Sequence, residues 1–155
     1  MTPAINIAKK TKITYKIHEY AHDSSSQSYG SEAAEKLCLP EERVFKTLVV
    51  LLDNKELAVA VLPASSMLSM KLFAKAAGAK KATMAAQTDV ERSTGYVLGG
   101  VSPLGQKKRL KTIVDSSANH HDTVYISAGR RGLEIELSPG DLASLVSGVF
   151  SEVCQ

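Results

Sequence analysis

The sequence has few cysteines and no long apolar run. Cys38 and Cys154 are the two cysteines among 155 residues, and a chain of this length can build its core without a disulfide. We therefore expect free thiols, with Cys38 as a small core residue at a helix end and Cys154 in a frayed C-terminus. No apolar stretch approaches the ~18 residues that cross a bilayer, and no basic segment followed by an apolar core opens the chain. We expect a cytoplasmic protein with no membrane partner.

The net charge is also low. Lysine and arginine number 19 against 16 acidic residues, which gives a formal charge of +3. A protein held to nucleic acid by charge alone is usually more basic, so any RNA contact should be local. Cationic side chains cluster at 80–81, 107–111 and 130–131. This clustering is compatible with a footprint on one face and equally with scattered surface lysines.

Several motifs of cofactor and metal sites are missing. The sequence matches neither the dinucleotide pattern GxGxxG nor the phosphate loop GxxxxGK[ST]. His120 and His121 are adjacent and would point apart, while His18 and His22 lie on a strand that leads into a loop. Neither arrangement is typical of a metal site. We therefore expect no cofactor and no metal.

A glycine-rich segment, 94–109, is the most distinctive stretch. Four glycines and Pro103 alternate with apolar residues, which indicates a loop of defined shape. Consecutive N–H groups in such loops often converge on an anion or a carbonyl oxygen. Lys107, Lys108 and Arg109 follow at once. They suit a phosphate-bearing ligand, although a solvated basic turn explains them as well.

Hydrophobic periodicity predicts an α+β fold with a mixed, mostly antiparallel sheet that is barrel-like, within one domain covering 1–155. The predicted strands are 13–20, 44–52, 57–62, 110–114, 123–127, 133–137 and an edge strand at 149–153. Short helices are predicted after Thr2-Pro3, at 31–37, at 69–77, from a capping box at Thr88 to Glu91, and from Ser138.

Lys46 interrupts an apolar strand. A lysine between Phe45 and Leu48 either points to solvent at a sheet edge or points at a specific group. The pattern alone favours neither interpretation.

The order of several segments resembles the YbaK/EbsC family over essentially the whole length. These segments are Phe45-Lys46-Thr47-Leu48-Val49-Val50, Ser93-Thr94-Gly95-Tyr96, the run from Gly99 to Arg109, Tyr125-Ile126-Ser127 and Arg131-Gly132-Leu133. The resemblance implies the fold of the prolyl-tRNA synthetase editing domain, with a mixed sheet of about seven strands surrounded by short helices. It also implies a hydrolase that deacylates mischarged Cys-tRNA(Pro), and possible action on Cys-tRNA(Cys).

The resemblance also implies the site residues. Lys46 would be the catalytic residue, holding the terminal ribose and phosphate or the ester carbonyl. The substrate-binding residues would be Tyr20, Tyr29, Thr47, Gly99, Gly100, Val101, Ser102, Pro103, Ser127, Gly129 and Glu134. Two positions depart from the family pattern: Ala128 replaces a glycine, and Glu134 stands where an aspartate occurs in a relative.

The reactive group implied by the resemblance is the thiol of the substrate, since no Ser-His-Asp or Cys-His pair is indicated. The implied partners are the tRNA acceptor end and prolyl-tRNA synthetase. Two alternatives stay open at this point. The protein could act on another mischarged tRNA such as Ala-tRNA, or it could bind tRNA or a synthetase without catalysis.

Overall fold

The computed structural model describes residues 1–25 and 29–155. Within these ranges it contains eight strands, five α-helices and two 3-10 helices. The strands are β1 (Tyr15–Glu19), β2 (Phe45–Leu52), β3 (Leu57–Pro63), β4 (Ala82–Met84), β5 (Lys111–Asp115), β6 (Val124–Arg130), β7 (Leu133–Leu137) and β8 (Val149–Ser151). The helices are α1 (Pro3–Thr11), α2 (Tyr29–Lys36), α3 (Met70–Ala76), α4 (Gln87–Thr94) and α5 (Pro139–Val146). The 3-10 turns are Glu41–Arg43 and Ser116–His120.

The strands form two sheets. The larger has the order β4-β2-β3-β5-β8, with β2, β3 and β4 antiparallel and with β3, β5 and β8 parallel. The smaller has the antiparallel order β1-β7-β6. The α+β class and the hairpin of β2 and β3 are confirmed, but in the described ranges the two sheets are not closed into a barrel. The short strand β4 was not predicted.

Three of the helix starts follow the local sequence. The hydroxyl groups of Thr2, Ser69 and Ser138 accept hydrogen bonds from N–H groups in the first turns of α1, α3 and α5. Such N-caps satisfy donors that have no partner inside the helix. Helix α4 is present and ends before Gly95 as predicted, but the predicted capping box from Thr88 was wrong. This helix starts one residue before Thr88 with Ala86 as an N-cap that has no side-chain bond.

Apolar core residues pack against both faces of the larger sheet. Val59 and Val61 of β3 pack into the main cluster with α1, α5 and the smaller sheet, whereas Ala58, Ala60 and Leu62 face α3 on the other side. Residues of a central strand are buried on both faces, which explains the continuous apolar run of β3. A bridge between Val44 and Tyr125 joins the start of β2 to β6. This bridge brings the smaller sheet next to the first residues of β2.

Both predictions for the environment of the cysteines were wrong, although both thiols are free as expected. Cys38 is exposed, and it occupies the left-handed position after α2 with φ 57°. Cys154 belongs to an ordered end rather than a frayed one. The N–H of Val153 donates to Asp115 over 3.0 Å, its carbonyl accepts from Ser69 over 2.7 Å, and the N–H of Gln155 donates to the carbonyl of Met67 over 2.9 Å.

Candidate functional site

A cavity of about 330 Å³ opens beside the first half of β2. The smaller sheet, the loop after α4 and the segment after β4 supply its other walls. Its lining residues are Tyr20, Gly30, Phe45, Lys46, Thr47, Leu48, Val49, Ala64, Met84, Ala85, Val90, Leu98, Gly99, Val101, Ser127, Arg130 and Glu134. The lysine of β2 and the glycine-rich loop, which lie about fifty residues apart in sequence, therefore share one cavity.

Lys46 is held in place by the backbone. Its side chain is partly buried, and Nζ donates a hydrogen bond of 2.6 Å to the carbonyl oxygen of Ser66. Burial lowers the pKa of the amine, and the nearby Cys154 thiol acts in the opposite direction. The side chain thus points at a specific group, which decides between the two interpretations that the sequence left open.

Glu134 supplies a buried acid to the cavity. Its residue surface is 7% exposed, and burial raises the pKa of its carboxyl group to about 8. Among the described residues no hydrogen-bond donor or cation pairs with this carboxyl group. Tyr20 lies close to this carboxyl group. Burial raises the pKa of the Tyr20 hydroxyl to about 12, and the nearby charge of Glu134 acts in the same direction. A carboxyl group without a partner is costly to bury, so this position suits a cationic or hydrogen-bonding ligand.

Two hydroxyl groups complete the polar lining. The Oγ1 atom of Thr47 is buried and has no hydrogen-bond partner within the described chain. The Oγ atom of Ser127 accepts from the N–H of Gly129 over 3.1 Å, next to an irregularity in the pairing of β6 with β7. A buried hydroxyl group without a partner is rare in native proteins, so Thr47 is a candidate for a ligand contact.

The glycine-rich loop presents its backbone to the cavity. A turn is closed by a 3.0 Å hydrogen bond from the N–H of Gly100 to the carbonyl of Val97, and Gly99 adopts φ 93° within it. A side chain at Gly100 would lie 2.9 Å from the Cα of Arg130, so only glycine fits. In the described structure, no acceptor is assigned to the N–H groups of Gly99 and Val101. Both residues line the cavity, and their donors can bind an oxygen that gains negative charge.

The structure does not place every predicted residue at the cavity. The lining includes Tyr20, Lys46, Thr47, Gly99, Val101, Ser127 and Glu134 but not Gly100, Ser102, Pro103 or Gly129. Ser102 is fully buried and its Oγ atom accepts from the N–H of Leu104. Pro103 lines a separate cavity of about 120 Å³. Gly129 packs against Tyr96 and Thr2, so these four residues shape the loops around the cavity. The side chain of Tyr29 lies outside the described part of the chain.

Sequence reasoning missed several lining residues. Arg130 was visible in the basic pair at 130–131 but was not assigned to the site. Met84 and Leu98 gave no signal, because apolar residues in short loops and edge strands follow no period. Ala128, which departs from the family pattern, is fully buried in the main core and does not line the cavity.

Two further features of the described residues concern metals and membranes. No group of three or more His, Cys, Asp or Glu side chains in residues 1–25 and 29–155 is arranged to hold a metal ion. No helix in the same ranges has the length and apolar character needed to span a bilayer.

The fold and the cavity define a small α+β domain in which a lysine, a buried acid and a glycine-rich loop line one cavity. Residues 25–145 match the aminoacyl-tRNA editing domain, and the chain belongs to this family. Editing domains act by hydrolysis of the ester between amino acid and tRNA, so the protein is an ester hydrolase of aminoacyl-tRNA.

Two bacterial proteins are similar in sequence. The chain is 39% identical over 152 residues to EbsC of Enterococcus faecalis (strain ATCC 700802 / V583), a candidate Cys-tRNA(Pro)/Cys-tRNA(Cys) deacylase, covering 98% of this chain and 92% of EbsC. It is 27% identical over 132 residues to the uncharacterized protein YwhH of Bacillus subtilis (strain 168), covering 84% of this chain and 83% of YwhH.

Two solved structures share the fold. The hypothetical protein APE2540 superposes with a TM-score of 0.87 at 25% identity, covering 99% of each chain. A candidate trans-editing enzyme for prolyl tRNA synthetase superposes with a TM-score of 0.84 at 18% identity, covering 99% of this chain and 97% of the other. The second likeness concerns the fold alone.

Proposed function

We propose that residues 1–155 form one trans-editing domain that deacylates Cys-tRNA(Pro) and also accepts Cys-tRNA(Cys). The similarity to EbsC supports this substrate. The observation that carries the proposal is the chemistry of the cavity lining. Within the described residues the lining holds cations, an acid and hydroxyl groups but neither a cysteine nor a histidine, and so contains no Ser-His or Cys-His pair.

In this proposal the substrate itself supplies the nucleophile. The cysteine thiolate attacks the aminoacyl carbonyl carbon, so that a carbon–sulfur bond forms and the ester carbon–oxygen bond breaks. The ribose oxygen leaves with the proton that the thiol loses, and water then opens the cyclic thioester. Because the sulfur and the carbonyl belong to the same amino acid, the attack is intramolecular, and the protein has only to hold them in the reactive orientation. An amino acid without a thiol cannot take this route.

The protein's residues position the ester. The ammonium group of Lys46 binds the ester carbonyl or the terminal phosphate, and the N–H groups of Gly99 and Val101 receive the oxygen as its negative charge grows. The carboxylate of Glu134 binds the α-ammonium group of the amino acid. This contact offsets the burial of the charged carboxylate, so substrate binding lowers the pKa of Glu134. Thr47 gains a partner from the same ligand.

Size alone would discriminate poorly. Proline and cysteine differ little in volume, and a pocket of fixed size separates such pairs by only ~1 to 3 kcal/mol. A second site that recognises a chemical group rather than a volume removes the error. We place this activity in the cytoplasm, where tRNA is charged, and propose that prolyl-tRNA synthetase delivers the mischarged tRNA.

A panel of charged tRNAs tests the proposal. We expect rapid loss of cysteine from Cys-tRNA(Pro) and Cys-tRNA(Cys), while serine and alanine on the same tRNAs stay attached. Lys46→Ala should reduce the rate at least 100-fold, on the scale that a single electrostatic donor contributes to catalysis. Lys55→Ala, at the far end of the same hairpin, is the matched control and should retain the full rate.

Two outcomes would contradict the proposal. Deacylation of Ala-tRNA or Ser-tRNA as fast as Cys-tRNA would show that the thiol is not required. Binding of tRNA without deacylation above the spontaneous rate would identify a binding module instead. Adding prolyl-tRNA synthetase should increase the preference for Cys-tRNA(Pro) over Cys-tRNA(Cys).

A further inference from the structure

Two exposed apolar side chains stand at the mouth of the cavity. Met84 and Leu98 are each 50% exposed, yet both belong to the lining. The polar groups Glu134 and Thr47 lie deeper, where their atoms are buried. Buried polar groups thus lie inside the cavity beside buried apolar residues such as Phe45 and Val49, while the exposed Met84 and Leu98 lie at its mouth. Large exposed apolar side chains beside a cavity are typical of a binding surface.

Leu98 is fixed by its backbone. It occupies the turn closed by the hydrogen bond between Gly100 and Val97, and its own N–H donates to the Glu91 carboxylate over 3.2 Å. Gly99, the next residue, has the positive φ of 93° that this turn requires. The apolar side chain is therefore presented at the mouth before any ligand arrives, which reduces the entropy cost of binding.

Met84 reaches the mouth from another element. It ends the edge strand β4, opposite Val50 of β2, and the N–H of Ala85 donates to the carbonyl of Val49 over 3.1 Å. The backbone is thus anchored, while the thioether side chain is unbranched and adaptable. Methionine makes favourable contacts with aromatic rings through its polarizable sulfur.

Arg130 contributes a cation to the same cavity. It is exposed and lines the cavity, and in the described structure its guanidinium group pairs with no carboxylate. The Cα atom of Arg130 lies against Gly100, next to the turn that carries Leu98. A free guanidinium group beside an apolar surface is suited to a phosphate that accompanies a planar base.

We propose that Met84 and Leu98 form a platform for the terminal nucleobase of charged tRNA, with Arg130 binding the adjacent phosphate. The inference rests on the proposed function, because the ester links an amino acid to this nucleoside. When the amino acid lies beside Glu134 and Thr47 inside the cavity, the nucleoside must lie at the mouth. The apolar surface is continuous with the cavity, and its one flanking arginine is complementary in charge to the phosphate.

Methyl resonances of methionine test the platform without catalysis. The chain has four methionines, and Met67 is an internal control because it is 68% exposed but does not line the cavity. In a titration of wild-type protein with adenosine 5′-monophosphate, ring currents should shift the ε-methyl signal of Met84. Those of Met1 and Met67 should stay unchanged. No shift of Met84 at millimolar nucleotide, or an equal shift of Met67, would overturn the platform.

Two ester substrates then distinguish a loss of nucleobase binding from a loss of catalysis. Met84→Ser and Leu98→Ser should each raise KM for the cysteinyl ester of adenosine by about fivefold to tenfold, as expected for loss of a stacking contact. The same variants should raise KM for cysteine methyl ester by a clearly smaller factor, because this ester has no nucleobase to lose contact with. Val97→Ser is the matched control, since this neighbour is 66% exposed and outside the lining. Equal losses on both esters would overturn the platform.

The outcomes distinguish the two proposals. If wild-type protein cleaves neither of the two esters and does not cleave Cys-tRNA, the proposed function is wrong. The nucleotide titration then still tests whether the platform binds a nucleobase. If the two serine variants lose activity only when a synthetase is present, the mouth is a protein-docking surface and the platform is wrong. Circular dichroism melts establish that each variant is folded.

Discussion

At the residue scale, two buried carboxyl groups differ in their hydrogen bonds. Burial by itself would raise the pKa of the Asp115 carboxyl group. Hydrogen bonds from Ser117 and from the N–H of Val153 outweigh burial, so the pKa lies below its ordinary value. Glu134 has no such donors, so burial raises its pKa to about 8. The contrast identifies Asp115 as a structural acceptor. Glu134, by contrast, is a buried carboxyl group without a partner among the described residues.

The first prediction concerns the pH dependence of stability. Glu134 holds a proton in the folded state up to about pH 8 and loses it near pH 4.5 when unfolded. The folded state therefore binds more protons between these values, and stability falls as pH rises through this window. From pH 5 to pH 8.5, wild-type protein should lose on the order of 4 kcal/mol relative to Glu134→Gln. Urea unfolding of both proteins at the two pH values measures the difference.

The comparison of wild-type protein with Glu134→Gln removes the contributions of other titrating groups to the pH dependence, because both proteins contain those groups. A stability difference that is independent of pH would contradict the burial of an unpaired carboxyl group. A bound cysteine analogue with a free α-amino group should flatten the dependence, whereas an N-acetylated analogue should not.

At the element scale, hydrogen bonds hold the C-terminal segment next to Lys46. The segment after β8 is bonded to Asp115, Ser69 and Met67, and it places Cys154 near the Lys46 amine. Burial, followed by the charge of Asp115, raises the pKa of the Cys154 thiol to about 11. The thiol is thus a poor nucleophile despite its position, in agreement with a reaction that uses the thiol of the substrate.

The end of α2 offers a test of local strain. Cys38 has φ 57°, while its N–H and that of Leu39 bond to the carbonyls of Glu35 and Ala34, a pattern that usually has glycine at the left-handed position. Cys38→Gly should raise the free energy of unfolding by roughly 1 kcal/mol, because glycine removes the steric cost. Cys38→Ala keeps the Cβ atom and should change little. A thermal melt that shows Cys38→Gly to be less stable than Cys38→Ala would contradict this account.

At the scale of the whole molecule, the low net charge of +3 limits long-range attraction to RNA. Binding of uncharged tRNA should therefore have a shallow salt dependence, with a slope of log Kd against log salt of about 2 to 3, as for a few phosphate contacts. Arg130→Gln should lower the slope by about 1. Lys55→Gln, away from the cavity, should leave it unchanged. Fluorescence titrations at several salt concentrations measure the slopes, and a slope near 10 would contradict a local contact.

The fold was largely predictable because its signals are local. The alternation of β7 and the hairpin of β2 and β3 were read from residues close in sequence. The strand β4 was missed because three residues are too few to show a period. The end of the chain was misjudged because the order of Val153 depends on Asp115, 38 residues away.

The sequence alone determined the helix starts at Thr2, Ser69 and Ser138, the main strands and the family resemblance, because caps and periodicity act over a few residues. Only the tertiary structure decided that Lys46 and the glycine-rich loop share a cavity, that Glu134 is buried there without a partner, and that Met84 and Leu98 line the same cavity. Burial, proton affinity and the shape of a cavity depend on distant segments packed together.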